Sequence, residues 1–316
     1  MKVVVTGAAG FIGGETLLKL VDAGHDVLAI DRRMPPGHLI PVPCQWHTGD
    51  FAGELGLDAI KLFCPDAIIH CAGTSLVGPS MLNPQEYYDN NFVKTKILLD
   101  YLVKNHDKQV RFIFSSSAAT YGNPVMTPVQ EIDPAEPISP YGESKLMIDW
   151  MLKRYAHAYG LDYVSFRYFN ACGADSQARH GQAPGATHII ARVLESVRDS
   201  ANFTLYGTDY PTEDGTCVRD YIHVEDLAEA HILATDRTIP SGVYNLGTNT
   251  GHSNLEIIQM AADVTKTAVL HVNGTKREGD PAVLTADAGK FMTVSAWKPK
   301  FDLKDIITHA WAWYNR

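Results

Sequence analysis

Lys2-Val3-Val4-Val5-Thr6-Gly7-Ala8-Ala9-Gly10-Phe11-Ile12-Gly13 opens the chain, and its reading decides the fold. The first residues form a short apolar run rich in β-branched side chains, which predicts a strand. From Phe11 to Ala23 the apolar positions recur at helical spacing, and Gly24 ends the helix. Between strand and helix the glycines are spaced Gly-x-x-Gly-x-x-Gly, not Gly-x-Gly-x-x-Gly. A turn this tight needs glycine for its backbone angles and for close approach of a phosphate. The helix N-terminus behind it offers free N–H groups and a positive dipole end to a diphosphate. The third glycine lets the helix pack near the strand. Three spaced glycines alone are weak evidence, because turn glycines are common. Their place after a strand and before a helix predicts a dinucleotide site.

A second strand is expected over Asp26–Asp31. An acid at its end, Asp31, can bind the adenosine ribose hydroxyls. That carboxylate repels a 2′-phosphate and so favours NAD over NADP, although Arg32 and Arg33 follow it. The alternative is a solvated turn residue. Asp66–His70 and Arg111–Ser116 read as further strands, with a helix between them from Pro84 to Lys104. Repeated β-α-β units imply a parallel sheet covered on both faces, with right-handed crossovers. After Asn170 the alternation stops, and Gly, Pro, Thr and Asp become frequent. Val224–Thr235 is again helical and Val243–Leu246 strand-like. The expected fold is therefore α/β: a Rossmann doubly wound parallel sheet with a smaller C-terminal substrate-binding lobe. Residues 1–170 form the NAD-binding domain, with 221–246 returning to it. Residues 171–220 and 247–316 form the lobe.

The chain has 316 residues, is 45% hydrophobic and 20% charged, and carries a net charge of −9. That is ordinary for a packed globular protein. An acidic chain without a basic run is a poor nucleic-acid binder. No apolar run reaches the ~20 residues of a membrane helix. No basic, apolar and cleavage-site sequence marks a signal peptide. Five cysteines, at 44, 64, 71, 172 and 217, are odd in number and none is two or three residues from another. That argues against a disulfide framework and against a zinc site, so no metal is expected. Reduced thiols in a cytoplasmic protein are the expectation.

The stretch Ser139-Pro140-Tyr141-Gly142-Glu143-Ser144-Lys145 carries the chemistry. Ser139 suits an N-cap and Pro140 the first helical position. Tyr141 and Lys145 then lie four apart on one helix face. An ammonium beside a phenol stabilises the phenolate and lowers its pKa from the reference ~10, and a cationic nicotinamide acts the same way. The product is a tyrosine able to serve as a base near neutral pH. A Tyr/Lys pair at this spacing is also common on helix surfaces. It gains weight from Ser115-Ser116-Ser117 at the end of an expected strand, the ligand-binding edge of a parallel sheet.

The glycine turn, the serine run and Tyr141/Lys145 resemble the extended short-chain dehydrogenase/reductase superfamily. Longer stretches are similar to the UDP-glucose 4-epimerase family across essentially the whole chain. They are His70-Cys71-Ala72-Gly73, Tyr87-Tyr88-Asp89-Asn90-Asn91, Phe114 to Ala118, Ser139 to Met147, Arg167-Tyr168-Phe169-Asn170, Tyr210 to Val224 and Arg277-Glu278-Gly279-Asp280. Asp209 to Thr216 is the most specific single piece. The resemblance implies an isomerase: NAD-dependent 4-epimerisation of a UDP-hexose through a transient 4-keto sugar. It implies Tyr141 as the base and acid at the 4-hydroxyl, Lys145 tuning it and holding the nicotinamide ribose, and Ser117 bonding the same hydroxyl. Gly7, Gly10, Phe11, Ile12 and Gly13 would surround the NAD diphosphate. Asp31 and Arg32 would meet the adenosine ribose, and Asp50 with Phe51 the adenine. Cys71, Ala72, Asn90, Ser115 and Phe169 would line the rest of the cofactor. Asn170, Arg219 and Arg277 would hold the substrate diphosphate. His188, Ile189, Thr204, Leu205 and Tyr206 would meet the uracil, and Asp280 the ribose. A homodimer through Pro84–Lys104 and Leu146–Ala158 is also implied.

The chain departs from that pattern in places. Ser75 stands where many relatives carry lysine. Val93-Lys94-Thr95 replaces Asn-Gly-Thr. Thr187-His188-Ile189 replaces an Asn-Leu pair, and Leu284 a tyrosine or a smaller residue. These leave open a 4-epimerase of an N-acetylhexosamine, pentose or uronic acid. A nucleotide-sugar 4,6-dehydratase or decarboxylase needs an extra acid beside the serine run, where this chain continues Ala118-Ala119-Thr120. A non-catalytic NAD-binding regulator would often have lost Tyr141 or Lys145. A net dehydrogenase would release NADH.

Overall fold

Strands and helices alternate through the first half. The computed structural model describes residues 1–105, 109–276 and 280–316. Six strands come first: β1 (Lys2–Thr6), β2 (Asp26–Asp31), β3 (Gln45–Thr48), β4 (Ala67–His70), β5 (Arg111–Ser115) and β6 (Tyr163–Tyr168). The chain then leaves for β7 (Asn170–Cys172), β8 (Phe203–Tyr206) and β9 (Val218–His223), and returns with β10 (Gly242–Leu246). β11 (Gly251–Ser253), β12 (His271–Gly274) and β13 (Val283–Leu284) follow. The main sheet is parallel and runs β10-β6-β5-β4-β1-β2-β3. Strand order reverses between β1 and β4. The crevice at the carboxyl ends of these two strands is where an open α/β sheet binds ligands.

Alternation along each strand divides the core into two layers. Val3, Val5, Ala29, Ile69 and Phe166 face one side, against Leu17 and Leu20 of the helix Phe11–Asp22 and Leu227 of the helix Val224–Leu233. Val4, Leu28, Ile68 and Phe112 face the other, against Ile60, Leu98, Leu99, Ile148 and Leu152. Both faces are buried, as parallel strands require. Ala288, Phe291 and Trp297 also pack into the first layer, far along the chain from it. The lobe has its own core, in which Leu194, Phe203, Leu205, Ile257, Ile307 and Trp313 meet. Among the described residues no helix is long and apolar enough to cross a membrane.

The helix expected over Pro84–Lys104 is interrupted. Pro84–Tyr87 and Lys94–Asn105 are α-helical, and Tyr88–Val93 between them is a π-helical stretch. Two strands of the main sheet carried no pattern to predict them. β3 is a polar edge strand with no buried residue. β6 buries Ser165 and Arg167, which break its apolar run and donate to Asp149 at 2.6 and 2.9 Å.

One buried carboxyl sits beside the ion pairs of Lys19 with Asp175 and Glu225. Glu15 is fully buried, and neither of its oxygens accepts a hydrogen bond. Lys19 approaches it at 3.7 Å but is shared with Glu225 at 2.7 Å and Asp175 at 3.6 Å. Burial, with Asp175 nearby, pushes the Glu15 carboxyl up to about 8 from 4.5. The native state therefore holds a proton that the unfolded chain releases, and stability falls as pH rises through that window, by about 1.4 kcal/mol per pH unit. Glu15→Gln should match wild type near pH 5 and exceed it above pH 8, with a flatter pH dependence. Thermal unfolding across pH checks this, and an unchanged slope in the variant counts against it.

Candidate active site

The glycine turn forms a cradle because side chains cannot fit there. Gly7 has φ +73°, and a Cβ on it would lie 2.7 Å from the Ala72 nitrogen. A Cβ on Gly13 would lie 2.3 Å from the Gly7 carbonyl oxygen. The helix Phe11–Asp22 starts at Gly10 with no side-chain cap and no acid in its first turn. Its N–H groups and positive dipole end are left for an anion. At the end of β2, Asp31 Oδ2 accepts from the Ala9 N–H at 3.0 Å. Its Oδ1 accepts from the Arg33 backbone N–H at 2.9 Å and from Nε at 3.3 Å.

A cavity of about 840 Å³ runs from this turn along the sheet edge. Gly7, Gly10, Phe11, Ile12, Gly13, Asp31, Arg32, Asp50, Phe51, Cys71, Ala72 and Asn90 line it. So do Ser117, Tyr141, Lys145, Phe169, Asn170, His188, Arg219 and Asp280. Its volume lies toward the upper end for small-molecule sites. A glycine cradle at a helix start matches a diphosphate, and an acid at the β2 terminus matches a ribose diol. The residues present thus fit a dinucleotide. Ser115 is the exception among those expected on the wall: it is buried behind it, donating to Cys71 Sγ at 3.2 Å.

Ser139 caps the helix Pro140–Tyr159 by accepting from the Gly142 N–H at 3.2 Å. Tyr141 and Lys145 are both buried, one turn apart. Ser117 stands near the Tyr141 phenol, and its Oγ accepts from the Ala119 N–H at 3.1 Å. Lys145 Nζ donates to the Ser115 carbonyl at 2.8 Å and lies 5.9 Å from the centre of the Tyr141 ring. Here the electrostatics differ from the expected base near neutral pH. Burial raises the Tyr141 phenol above its ordinary value, and the nearby Ser117 hydroxyl offsets this only in part. Burial also pulls Lys145 down to about 8. The ammonium is turned to the Ser115 carbonyl, so Lys145 alone does not make the phenol acidic.

Behind these residues sits a brace that sequence reasoning missed. Asn91, buried in the π stretch, accepts from the Thr74 N–H at 2.7 Å. It donates to the Thr74 carbonyl at 3.0 Å and to Ser144 Oγ at 2.9 Å. Asn90 donates to Thr74 Oγ1 at 3.1 Å. Asn91 thus ties the loop after β4 to the helix that carries Tyr141, and Asn90 holds the same loop. Beside them, burial pushes the Cys71 thiol up to about 11, so it stays protonated.

A second cavity of about 220 Å³ opens off the first. Asn170, His188, Arg219 and Asp280 line both. Ile189, Thr204 and Tyr206 line the second. Leu205 does not, which corrects its expected place: strand alternation turns its side chain into the lobe core. Arg219 Nη1 donates to the Val218 carbonyl at 2.8 Å, and Nη2 lies 3.6 Å from Asp280 Oδ1. Arg277 lies outside the described residues. Arg111 and Arg167, chemically equal candidates, are consumed elsewhere. Arg111 is buried against Asp162 and the Ile239 carbonyl, and Arg167 against Asp149. Arg192, Cys217 and Asn254 also line the second cavity, and Gln182 the first. Of these only Arg192 left a signal, four residues after His188 on the helix Ile189–Arg198.

Comparison with known proteins bears on this geometry. Residues 3–247 match the NAD dependent epimerase/dehydratase family. The UDP-glucose 4-epimerase of Halalkalibacterium halodurans is 41% identical, over 100% of this chain and 96% of the relative. The UDP-glucose 4-epimerase of Brucella ovis, solved in complex with NAD, superposes with a TM-score of 0.93 at 38% identity, covering 98% of this chain and 97% of that one. That of Bifidobacterium longum, solved with NAD+ and UDP, gives 0.91 at 34% identity, covering 100% and 98%.

Proposed function

The chain belongs to the NAD dependent epimerase/dehydratase family, and from that premise we propose that it interconverts UDP-hexoses by NAD-dependent epimerisation at C4, with UDP-glucose and UDP-galactose as the pair. The observation that carries the site assignment is the junction of two cavities: Tyr141, Ser117 and Lys145 line the larger, which opens past Arg219 into the smaller.

Bound in this cavity, NAD would supply reversible hydride chemistry at C4 of the sugar with no net redox change. Tyr141 takes the proton of the 4-hydroxyl and later gives it back. Ser117, beside the Tyr141 phenol, holds that same hydroxyl. A buried phenol keeps its proton unless a cation lies near it. A cationic, oxidised cofactor in this site would therefore favour proton removal by Tyr141. Lys145, fixed on the Ser115 carbonyl, would hold the nicotinamide ribose.

The nucleotide end must be gripped while the sugar turns over. Arg219, with a guanidinium suited to a diphosphate, and Asn170 stand at the junction. His188, Ile189, Thr204 and Tyr206 take the base, and Asp280 the ribose. Ala118 and Ala119 continue the cavity wall after Ser117, which leaves no acid there for a dehydratase step. Purified protein incubated with a panel of UDP-sugars should convert UDP-galactose to UDP-glucose without accumulating NADH. No conversion of UDP-galactose or UDP-N-acetylgalactosamine defeats the reading.

A homodimer completes it. Tyr155 donates to Asp100 at 2.5 Å and so joins the helices Lys94–Asn105 and Pro140–Tyr159. Val93, Ile97 and Trp150 lie exposed on this pair and on the π stretch before it, a surface for a second copy to cover. Light scattering should return twice the chain mass of 34.7 kDa; the monomer mass at micromolar concentration rejects the dimer.

A further inference from the structure

The loop after β7 folds back onto the helix that starts at the glycine turn. The Asp175 N–H donates to the His180 carbonyl at 2.8 Å, and Ala174 pairs with Gly181, which closes the loop into a hairpin. The His180 side chain is buried. Its Nε2 lies 2.9 Å from the carbonyl oxygen of Phe11, the first residue of the helix Phe11–Asp22. Its Nδ1 lies 2.9 Å from Nε2 of His38. Burial pulls His180 down to about 4, so the ring is neutral near neutral pH. A carbonyl only accepts, and a neutral imidazole carries one N–H. Nε2 therefore donates to Phe11, and Nδ1 accepts from the His38 N–H.

The surroundings hold this ring in place. It lies against the helix at Gly14, where a Cβ would come within 2.6 Å of it. Trp313, on the helix Leu303–Tyr314, flanks both imidazoles, with its ring centre 6.1 Å from that of His180 and 5.0 Å from that of His38. Trp313 Nε1 donates to the Gln182 carbonyl at 2.8 Å and so fixes the chain two residues past His180.

A peptide unit is a rigid plane in which C=O and N–H point opposite ways. The Phe11 carbonyl shares its plane with the Ile12 N–H. That N–H is one of the first four of the helix, which have no acceptor within it. Ile12 lines the large cavity beside the glycine turn, and His180 stands behind it. A hydrogen bond to the carbonyl fixes the plane and polarises the amide, which strengthens its N–H as a donor. With the cavity read as the NAD site, as proposed above, we propose that His180 is a positioning residue for cofactor retention: from the loop after β7 it fixes the peptide plane that aims the Ile12 N–H at the NAD diphosphate. An enzyme that returns its hydride to the same sugar must keep the dinucleotide through the cycle, and this contact serves that demand.

The test titrates full-length wild type, His180→Leu, His180→Gln and His180→Asn, freed of bound NAD, with NAD and with UDP by calorimetry. H180L, which has no donor, should bind NAD about tenfold more weakly than wild type, the worth of one hydrogen bond. It should bind UDP as wild type does. Glutamine places its amide nitrogen as many bonds from Cβ as His180 Nε2 is, so H180Q should bind NAD within about threefold of wild type. Asparagine is one bond short of the Phe11 carbonyl, so H180N should behave as H180L. Wild-type NAD affinity in H180L and H180N overturns the assignment. So does a loss in H180Q as large as in H180L, which makes the packing of the ring, and not its donor, the cause. Parallel loss of NAD and UDP affinity overturns it as well. Should H180L not fold, equal NAD affinity in H180N and H180Q overturns it. Wild type that binds no NAD overturns the cofactor reading of the cavity, and this assignment with it.

Discussion

Tyr141→Phe should lower turnover about a thousandfold while leaving NAD bound, the scale expected for loss of a positioned general acid–base group. The substitution removes one oxygen from a ring that stays packed edge-on against Tyr87, with ring centres 6.4 Å apart. Ser117 keeps the Ala119 N–H, so its hydroxyl is not stranded. Folding and the glycine cradle should be untouched. Wild-type turnover should rise with pH on its acid side, because burial raises the phenol and its basic form grows as pH increases. In Y141F that limb should vanish. Chromatographic separation of the C4 epimers measures turnover, and absorbance after release by denaturation measures bound NAD. Wild-type activity in the variant sinks the assignment of Tyr141. A variant that has lost NAD places Tyr141 in cofactor retention and not in proton transfer.

What the residues announced in advance follows from how local their physics is. The strand Lys2–Thr6, the glycine turn, and the helix that Ser139 caps are each specified by a few neighbouring residues, and each stands where its pattern put it. The sense of the Tyr141 shift was not legible, because it depends on burial and on the Ser115 carbonyl 30 residues away, which occupies the Lys145 ammonium. Leu205 needed the register of β8, which decides whether a side chain meets the second cavity or the lobe core. The Asn91 brace was hidden for a related reason: its partners, Thr74 and Ser144, are 17 and 53 residues away. Among the arginines, side-chain chemistry alone does not single out Arg219; the resemblance named it, and the fold encloses Arg111 and Arg167 in the interior while placing Arg219 at the junction of the cavities.

Gly13→Ala should cost at least a hundredfold in NAD affinity, because backbone blocks the new methyl on two sides. Its Cβ would lie 2.3 Å from the Gly7 oxygen, 2.8 Å from the Gly7 carbonyl carbon and 3.2 Å from Ala8 Cα. Gly7 cannot give way easily: its own missing Cβ faces the Ala72 backbone, and its N–H is held by the Ile30 carbonyl at 2.8 Å. The helix cannot retreat freely, since Leu17 and Leu20 are fully buried in the core beneath it. Turn and helix start must therefore separate, and the N–H groups aimed at the diphosphate lose their alignment. A displacement of about 1 Å in a positioning element can cost 10²-fold, and the overpacking adds roughly 1–3 kcal/mol of lost stability. Gly10→Ala is the internal comparison. Its Cβ would meet the Gly7 oxygen at 3.1 Å, which a shift of a few tenths of an ångström relieves, so its loss should be much smaller. Calorimetric titration with NAD and, separately, with UDP distinguishes the causes. The second cavity is built from the lobe, so UDP binding should survive in G13A. Equal loss of both ligands would mean general unfolding, and retained NAD affinity would mean that the spacing from Gly7 to Gly13 is not what shapes the cradle.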